Sequence, residues 1–139
     1  MSTGRLLSII ASVVVLATLV AAIAVMDSPG QQRERRMDER RVQDLQRLAG
    51  AARGYHQGHG QLPADMAALA GQPGLGLSTT DPASGTPYEY ERTGERRFRV
   101  CATFATDTAV ANARMQPVGP DSWNHPAGRH CFSREAMAD

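Results

Sequence analysis

Two cysteines and four histidines are the residues of this chain whose types could support chemistry. The only thiols belong to Cys101 and Cys131. The imidazoles belong to His56, His59, His125 and His130. Imidazoles gathered around a thiol can bind zinc, whereas two thiols can form a disulfide or act as a redox pair. Three hypotheses therefore stand side by side: a structural disulfide, a zinc site and a catalytic thiol pair.

A structural disulfide between Cys101 and Cys131 is the hypothesis that we adopt. An even pair of cysteines in a small domain with only 5% aromatic residues is typical of a disulfide formed in an oxidising compartment. Closing a loop of this length would stabilise the domain by about 3–4 kcal/mol. A redox pair usually has Cys-x-x-Cys spacing, and an oxidised Cys131 could not bind zinc. We assign no metal and no cofactor, and expect the histidines to be solvated or hydrogen-bonded.

The remaining polar residues show no catalytic pattern. The sequence contains no nucleophile elbow, phosphate-binding loop or metalloprotease motif. Nothing in the spacing of Asp81, Glu89 and Glu91 places two carboxylates across a shared cleft. We expect Asp81 to accept backbone hydrogen bonds in a turn. The pattern predicts a protein that is not an enzyme and has no small-molecule substrate.

The aromatic residues are expected to pack within the domain. We expect Tyr88 and Tyr90 to pack in the core and across strands. Trp123 could pack over the disulfide or anchor a partner, and we favour packing.

The whole chain has room for one small domain. It has 139 residues and a formal net charge of +1, and all fifteen of its basic residues are arginine. The balanced charge argues against a dedicated nucleic-acid-binding protein.

An uncharged apolar run at residues 6–26 predicts a transmembrane helix. A helix of this length covers about 30 Å, the thickness of the hydrocarbon core of a bilayer. The alternative is a cleaved signal peptide, since Ala22-Ile23-Ala24 matches a small-x-small cleavage pattern. A core helix of a soluble protein would show a polar stripe, which this run lacks.

Two signals disagree on the orientation of that helix. Five arginines follow the apolar run closely and only Arg5 precedes it, which favours a cytoplasmic domain by the positive-inside rule. The cysteine pair favours an oxidising compartment. We predict a single-pass protein of the inner membrane with its soluble domain in the periplasm.

The rest of the chain predicts an α+β domain. Its boundaries are a tail at 1–5, the transmembrane helix at 6–26, a polar stalk at 27–41 and the soluble domain at 42–139. Apolar residues at steps of three and four predict an amphipathic helix over 31–58, which Gly58 and Gly60 end. A short second helix is expected to open with Pro63 in its first turn, before a loop at 71–85.

The first part of the amphipathic helix is expected to be solvated. Residues 33–41 mix arginines with acids, which is typical of an exposed stalk held by pairs such as Asp38 with Arg41 and Arg35 with Glu39. Contact of the arginines with anionic lipid is an alternative that the interleaved acids disfavour.

Beyond residue 87 the apolar period changes to two. The alternation predicts a hairpin that turns at Thr93-Gly94-Glu95, with Phe98 and Val100 on its apolar face and Cys101 on the other. The partner of Cys101 should therefore come from the tail around Cys131, which is expected to form a third, edge strand. The stretch 107–121 has no strong period.

The order of these elements, with one short motif, resembles the major pseudopilins of type II secretion. The motif is Asp81-Pro82-Ala83-Ser84-Gly85-Thr86-Pro87-Tyr88-Glu89-Tyr90, which is similar to the Asp-Pro-x-Gly-x-Pro-Tyr-x-Tyr stretch of that family. The resemblance covers residues 6–104 and implies an envelope protein with a helix packed on a small antiparallel sheet. The residues at 100–104 and 123–132 also resemble a pattern of bacterial membrane-anchored proteins.

The chain departs from the pseudopilin pattern at two places. Gly4 is followed by Arg5-Leu6-Leu7-Ser8-Ile9, without the fifth-position Glu that follows the prepilin peptidase cleavage site. The acidic calcium loop of the family has no match at 107–121, so no calcium site is carried over.

We therefore expect a non-enzymatic envelope protein that binds a protein partner or self-associates. The alternatives are a subunit of a type II secretion or type IV pilus-like filament and a thiol- or metal-dependent periplasmic protein.

Overall fold

The computed structural model is α+β, as the sequence predicts, and describes residues 2–25, 28–112, 119 and 121–136. The chain divides into two compact units, Met1–Gln32 and Arg33–Asp139. The elements run in the order α1 (Thr3–Val25), α2 (Pro29–His59), α3 (Met66–Ala70), β1 (Glu89–Arg92), β2 (Arg97–Phe104), α4 (Ala109–Asn112) and β3 (Gly128–Glu135).

Helix α1 confirms a helix over the apolar run and is long and apolar enough to cross a membrane. None of its residues is buried, so its whole apolar surface is open. The hydroxyls of Ser8, Ser12 and Thr18 donate to carbonyl oxygens one turn back, at 3.1, 2.9 and 2.8 Å. Internal satisfaction of this kind is what a helix in hydrocarbon requires.

Helix α2 confirms the predicted amphipathic helix and extends slightly beyond it at both ends. Ser28 accepts a hydrogen bond from the Gln31 N–H at 3.4 Å, and Pro29 occupies the first helical position, where its missing N–H does no harm. The helix ends at His59 and is followed by Gly60, whose φ of 72° is the left-handed conformation that glycine adopts without strain.

The short helix α3 begins later than the sequence suggests. Asp65 is its N-cap and accepts from the Ala68 N–H at 2.8 Å. The expectation that Pro63 lies in the first turn is therefore wrong, because the Asp65 carboxylate satisfies a free N–H of the first turn and fixes the helix start after the proline. Pro63 is buried instead.

Three antiparallel strands form one sheet in the order β1-β2-β3. The hairpin closes at the predicted turn, where the N–H groups of Thr93 and Gly94 donate to the Arg97 carbonyl at 2.9 and 3.0 Å. β3 confirms the predicted third strand and pairs with β2 along its whole length. The aperiodic stretch contains α4, while residues 113–118 and 120 lie outside the described residues.

The core joins one face of α2 to one face of the sheet. It contains Leu45, Leu48, Ala49 and Ala52 from the helix. The sheet contributes Phe98, Val100, Ala102, Phe104 and Phe132, and the connecting segments add Leu62, Leu69, Tyr88 and Ala136. The period-two alternation of β2 is confirmed except at Cys101: its core residues are at most 8% exposed and its other residues are exposed or half-buried, but Cys101 is buried as well.

Candidate functional site

The Asp-Pro motif folds into a closed loop around Asp81. One carboxylate oxygen, Oδ1, accepts the N–H groups of Ala83 and Ser84 at 2.7 and 2.9 Å, which is the turn chemistry predicted for this residue. Gly85, at a φ of 71°, returns its N–H to the Asp81 carbonyl at 2.9 Å. The loop presents the Asp81 carboxylate to α2.

Arg41 of α2 lies between Asp81 and a second carboxylate, Asp38. Its Nε donates to Asp81 Oδ2, its Nη2 donates to Asp81 Oδ1 at 3.2 Å, and its Nη1 donates to Asp38 Oδ1 at 2.7 Å. The side chains of Arg41 and Asp81 are 10% and 6% exposed, and that of Asp38 is 2% exposed. We call Asp38, Arg41 and Asp81 the buried ion cluster.

Asp38 extends the cluster to the end of strand β2. It accepts the Ala105 N–H at 3.0 Å, the Thr106 N–H at 2.7 Å and the Thr106 hydroxyl at 2.6 Å. The cluster therefore ties three segments together: α2, the Asp-Pro loop and the segment that follows β2.

Hydrogen bonding keeps both carboxylates ionised. Burial acts to raise the pKa of Asp81, but hydrogen bonds from Arg41 and from two loop N–H groups outweigh it and lower the pKa to about 2. The same competition lowers the pKa of Asp38, where burial opposes the Thr106, Ala105 and Arg41 donors. A carboxylate that is ionised and paired at neutral pH is poorly suited to general acid–base work.

The solvated stalk expected at residues 33–41 is wrong for two of its members. Asp38 and Arg41 are 1% and 8% exposed, and the ion pair predicted between them is confirmed, but inside the domain. The physical reason is that Asp81, 40 residues further along the chain, supplies a second carboxylate. A buried guanidinium such as that of Arg41 needs such partners to compensate for its loss of hydration. Sequence reasoning missed this partner and the Thr106 donor.

The two tyrosines of the motif are packing residues, as expected, with their hydroxyls bonded. The Tyr88 hydroxyl donates to Asp44 Oδ2 at 3.1 Å, and burial together with that carboxylate raises the tyrosine pKa. The Tyr90 hydroxyl donates to the Pro63 carbonyl at 3.0 Å, and burial raises its pKa to about 12. Both phenols stay protonated at neutral pH.

Cys101 and Cys131 form the disulfide that the sequence suggests. They are directly opposite on β2 and β3, with a Cα–Cα distance of 4.0 Å. Glu89 of β1 is directly opposite Cys101 of β2. Its carboxylate accepts hydrogen bonds from Nε and Nη2 of Arg129 at 2.9 and 2.5 Å. Cys101 is 3% exposed although it lies on the face opposite the core.

A cavity of about 300 Å³ lies between the Asp-Pro loop and this part of β2, lined among others by Arg41, Asp81, Tyr88 and Cys101. Its charged lining groups are already paired, Arg41 with Asp81 and Glu89 with Arg129 outside the cavity. Within the described part of the chain, every buried side-chain nitrogen and oxygen has a hydrogen-bond partner. The arrangement therefore stabilises the fold by holding the Asp-Pro loop, α2 and the end of β2 together.

The histidines are not brought together with the thiols into a metal centre. His125 is 2% exposed and stacks on Phe104 with 3.7 Å between ring centroids. His130 packs edge-on against Phe132, and burial, then the neighbouring His125, lowers its pKa. The described residues contain no group of three or more potential metal ligands.

The other two histidines lie at the last turn of α2, where His59 stacks on Tyr55 at 4.0 Å. Trp123 packs on Phe132 at 4.7 Å and under the Arg134 guanidinium at 4.2 Å. Packing within the domain is confirmed, but packing over the disulfide is wrong, because Phe132 is on the core face of β3 and the disulfide is on the opposite face.

Comparison with protein-family models, with curated proteins and with solved structures found no match. The pseudopilin resemblance therefore stays a prediction from the Asp-Pro motif and the order of elements.

Proposed function

We propose that this protein is a non-enzymatic, single-pass membrane protein whose small pseudopilin-like domain lies in the periplasm and acts by binding another protein. The observation that carries the proposal is α1, which leaves every apolar side chain exposed. An apolar helical surface of this size is stable in hydrocarbon and not in water.

The disulfide supports the periplasmic side. Cys101 and Cys131 are joined in the structure, and a bond between two cysteines persists in an oxidising compartment. The arginine count favours the opposite side, but Arg41 has a structural task in the buried ion cluster on either side of the membrane. The presence of Arg41 in the flank therefore does not depend on orientation.

The state of the thiols, buried carboxylates and buried phenols in the described part of the chain supports a binding role. The thiols are oxidised, the buried carboxylates are ionised and paired, and both buried phenols are protonated at neutral pH. What the domain offers a partner is its charged surface.

A thiol gel shift in intact cells tests compartment and disulfide together. Cells that express the full chain are quenched in acid, and the protein is treated with a maleimide polymer with and without reductant. We expect both cysteines to react only after reduction. The Cys131→Ser variant calibrates the assay, because its single thiol should shift once without reductant.

Membrane extraction tests the anchor. The full chain should stay with the membrane after an alkaline carbonate wash, and the Val14→Arg/Val15→Arg variant should be released because two charges at the helix centre oppose insertion. Thiols that react without reductant would contradict the periplasmic location, and a wild-type chain released by carbonate would contradict the anchor.

A further inference from the structure

A cleft rich in arginine lies where the last turns of α2 meet the ends of β2 and β3. Its volume is about 860 Å³, within the range of pockets that hold drug-sized ligands or short peptide segments. Four arginines line it: Arg53, Arg97, Arg99 and Arg134. We call it the arginine cleft.

Two of these arginines have guanidinium groups available for a ligand. Arg97 is exposed, and no described residue forms a hydrogen bond or ion pair with its side chain. Arg53 donates its Nε to the Glu135 carbonyl at 3.1 Å, which orients the side chain and leaves both Nη groups without a bond to a described residue. A guanidinium held in this way is prepared for bidentate binding of a carboxylate.

The other two arginines are fixed in place. Arg99 donates its Nε and Nη2 to Glu91 at 2.8 and 2.5 Å. Arg134 donates to the carbonyls of Ser133 and Ser122 at 2.8 and 2.7 Å and lies over Trp123. Burial lowers the pKa of Arg134, Asp121 raises it and Arg53 lowers it, so the charges of Arg53 and Arg134 act on each other across the cleft.

The remaining lining residues define the class of ligand. Asp121 and Glu135 also line the cleft, with neutral polar groups from Gln57, Thr93 and Ser133. Two carboxylates would repel a densely charged phosphate polymer, whereas a polypeptide can offer carboxylates to the arginines and N–H groups to the acids. In the sheet of described residues β3 is an edge strand, which suits an extended segment.

We propose that the arginine cleft binds an acidic, extended segment of a partner protein, with carboxylates held by Arg97 and Arg53. This inference deepens the proposed function, on which it rests, by naming the chemistry of the partner. Exposed ion pairs with Arg97 make the complex sensitive to salt.

A direct binding measurement tests the proposal. The full chain in detergent micelles is titrated with a fluorescent peptide of alternating Asp and Val, and with the matched Asn and Val peptide. We expect the acidic peptide alone to bind, and Arg97→Gln to weaken binding about tenfold through loss of a charge-assisted contact. Arg53→Gln should act in the same direction.

Arg40→Gln is the matched control, because it removes the same charge from an exposed position of α2 outside the cleft. It should bind the peptide as the wild type does, and an unchanged Trp123 emission shows that each variant is folded. Inorganic polyphosphate and vesicles rich in anionic lipid serve as competitors that should not displace the peptide.

Several results would overturn the proposal. They are equal binding of the Asn peptide, equal weakening by Arg40→Gln, and displacement by polyphosphate or by anionic vesicles at the same charge concentration. Failure here is distinct from failure of the proposed function, since compartment and anchorage are measured independently of the peptide. If the protein is anchored in the membrane and its cysteines are oxidised, but it does not bind the acidic peptide, only the proposed ligand of the arginine cleft is refuted.

Discussion

Replacing Arg41 by methionine should uncouple the three segments that the buried ion cluster holds. The methionine keeps the apolar stem of the side chain, so packing changes little, while the guanidinium and its three hydrogen bonds to carboxylates are lost. Asp38 and Asp81 would then remain buried and negatively charged next to each other.

The size of the effect follows from what each carboxylate keeps. Removing one partner of a buried ion pair costs about 3–5 kcal/mol. Asp81 retains two loop N–H donors and Asp38 retains three donors from Ala105 and Thr106, which moderates the cost. We therefore expect a loss of about 3 kcal/mol in the free energy of unfolding at pH 7.

Urea unfolding of the full chain in micelles measures this loss through Trp123, the only tryptophan, which packs inside the domain. The control is Arg40→Met, whose exposed side chain should change stability by about 0.5 kcal/mol or less. The cost of Arg41→Met should shrink towards pH 5, because protonation relieves two unpaired carboxylates. A loss in the free energy of unfolding no larger than that of the control would show that the buried ion cluster does not stabilise the fold.

Three further changes have defined outcomes. Lowering the pH from 4 to 2 should reduce the free energy of unfolding by about 2 kcal/mol through Asp81 alone, because the pKa of Asp81 is about 2 in the folded chain and 3.8 in the unfolded chain. The contribution of Asp81 is nearly complete at pH 4 and is lost as the pH falls through the folded pKa. A free energy of unfolding that does not change over this pH range in the same urea assay would contradict this. Reducing the Cys101–Cys131 disulfide should cost about 3–4 kcal/mol, measured as the shift in urea midpoint with and without reductant, and an unchanged midpoint would show that the bond does not constrain the unfolded chain. Tyr88→Phe should lower the free energy of unfolding by about 1 kcal/mol, because the hydrogen bond to Asp44 is lost. Tyr55→Phe is the control and should lower it less, because the Tyr55 hydroxyl forms no hydrogen bond with a described residue.

Local periodicity was enough to predict α2 and the hairpin of β1 and β2. The three-and-four spacing of Leu45, Leu48 and Ala52 marks α2, and the period of two marks β2, because these spacings are properties of the backbone geometry itself. The disulfide could also be predicted from the sequence, since Cys101 lies on the outer face of β2 and the chain has only one other cysteine. The start of α3 was missed because Asp65 competes with Pro63 as a start signal.

The pairing of Arg41 with Asp81 could not be predicted from periodicity, since the two residues are 40 apart in the sequence and polar runs are usually solvated. One signal was nevertheless present in the sequence. Arg41 precedes Leu45 by four residues and Leu48 by seven, so the helical phase of the core places its side chain on the buried face. A guanidinium on that face needs a carboxylate, and the Asp-Pro loop supplies one. The motif that suggested a protein family is thus a structural device that docks the loop on the helix.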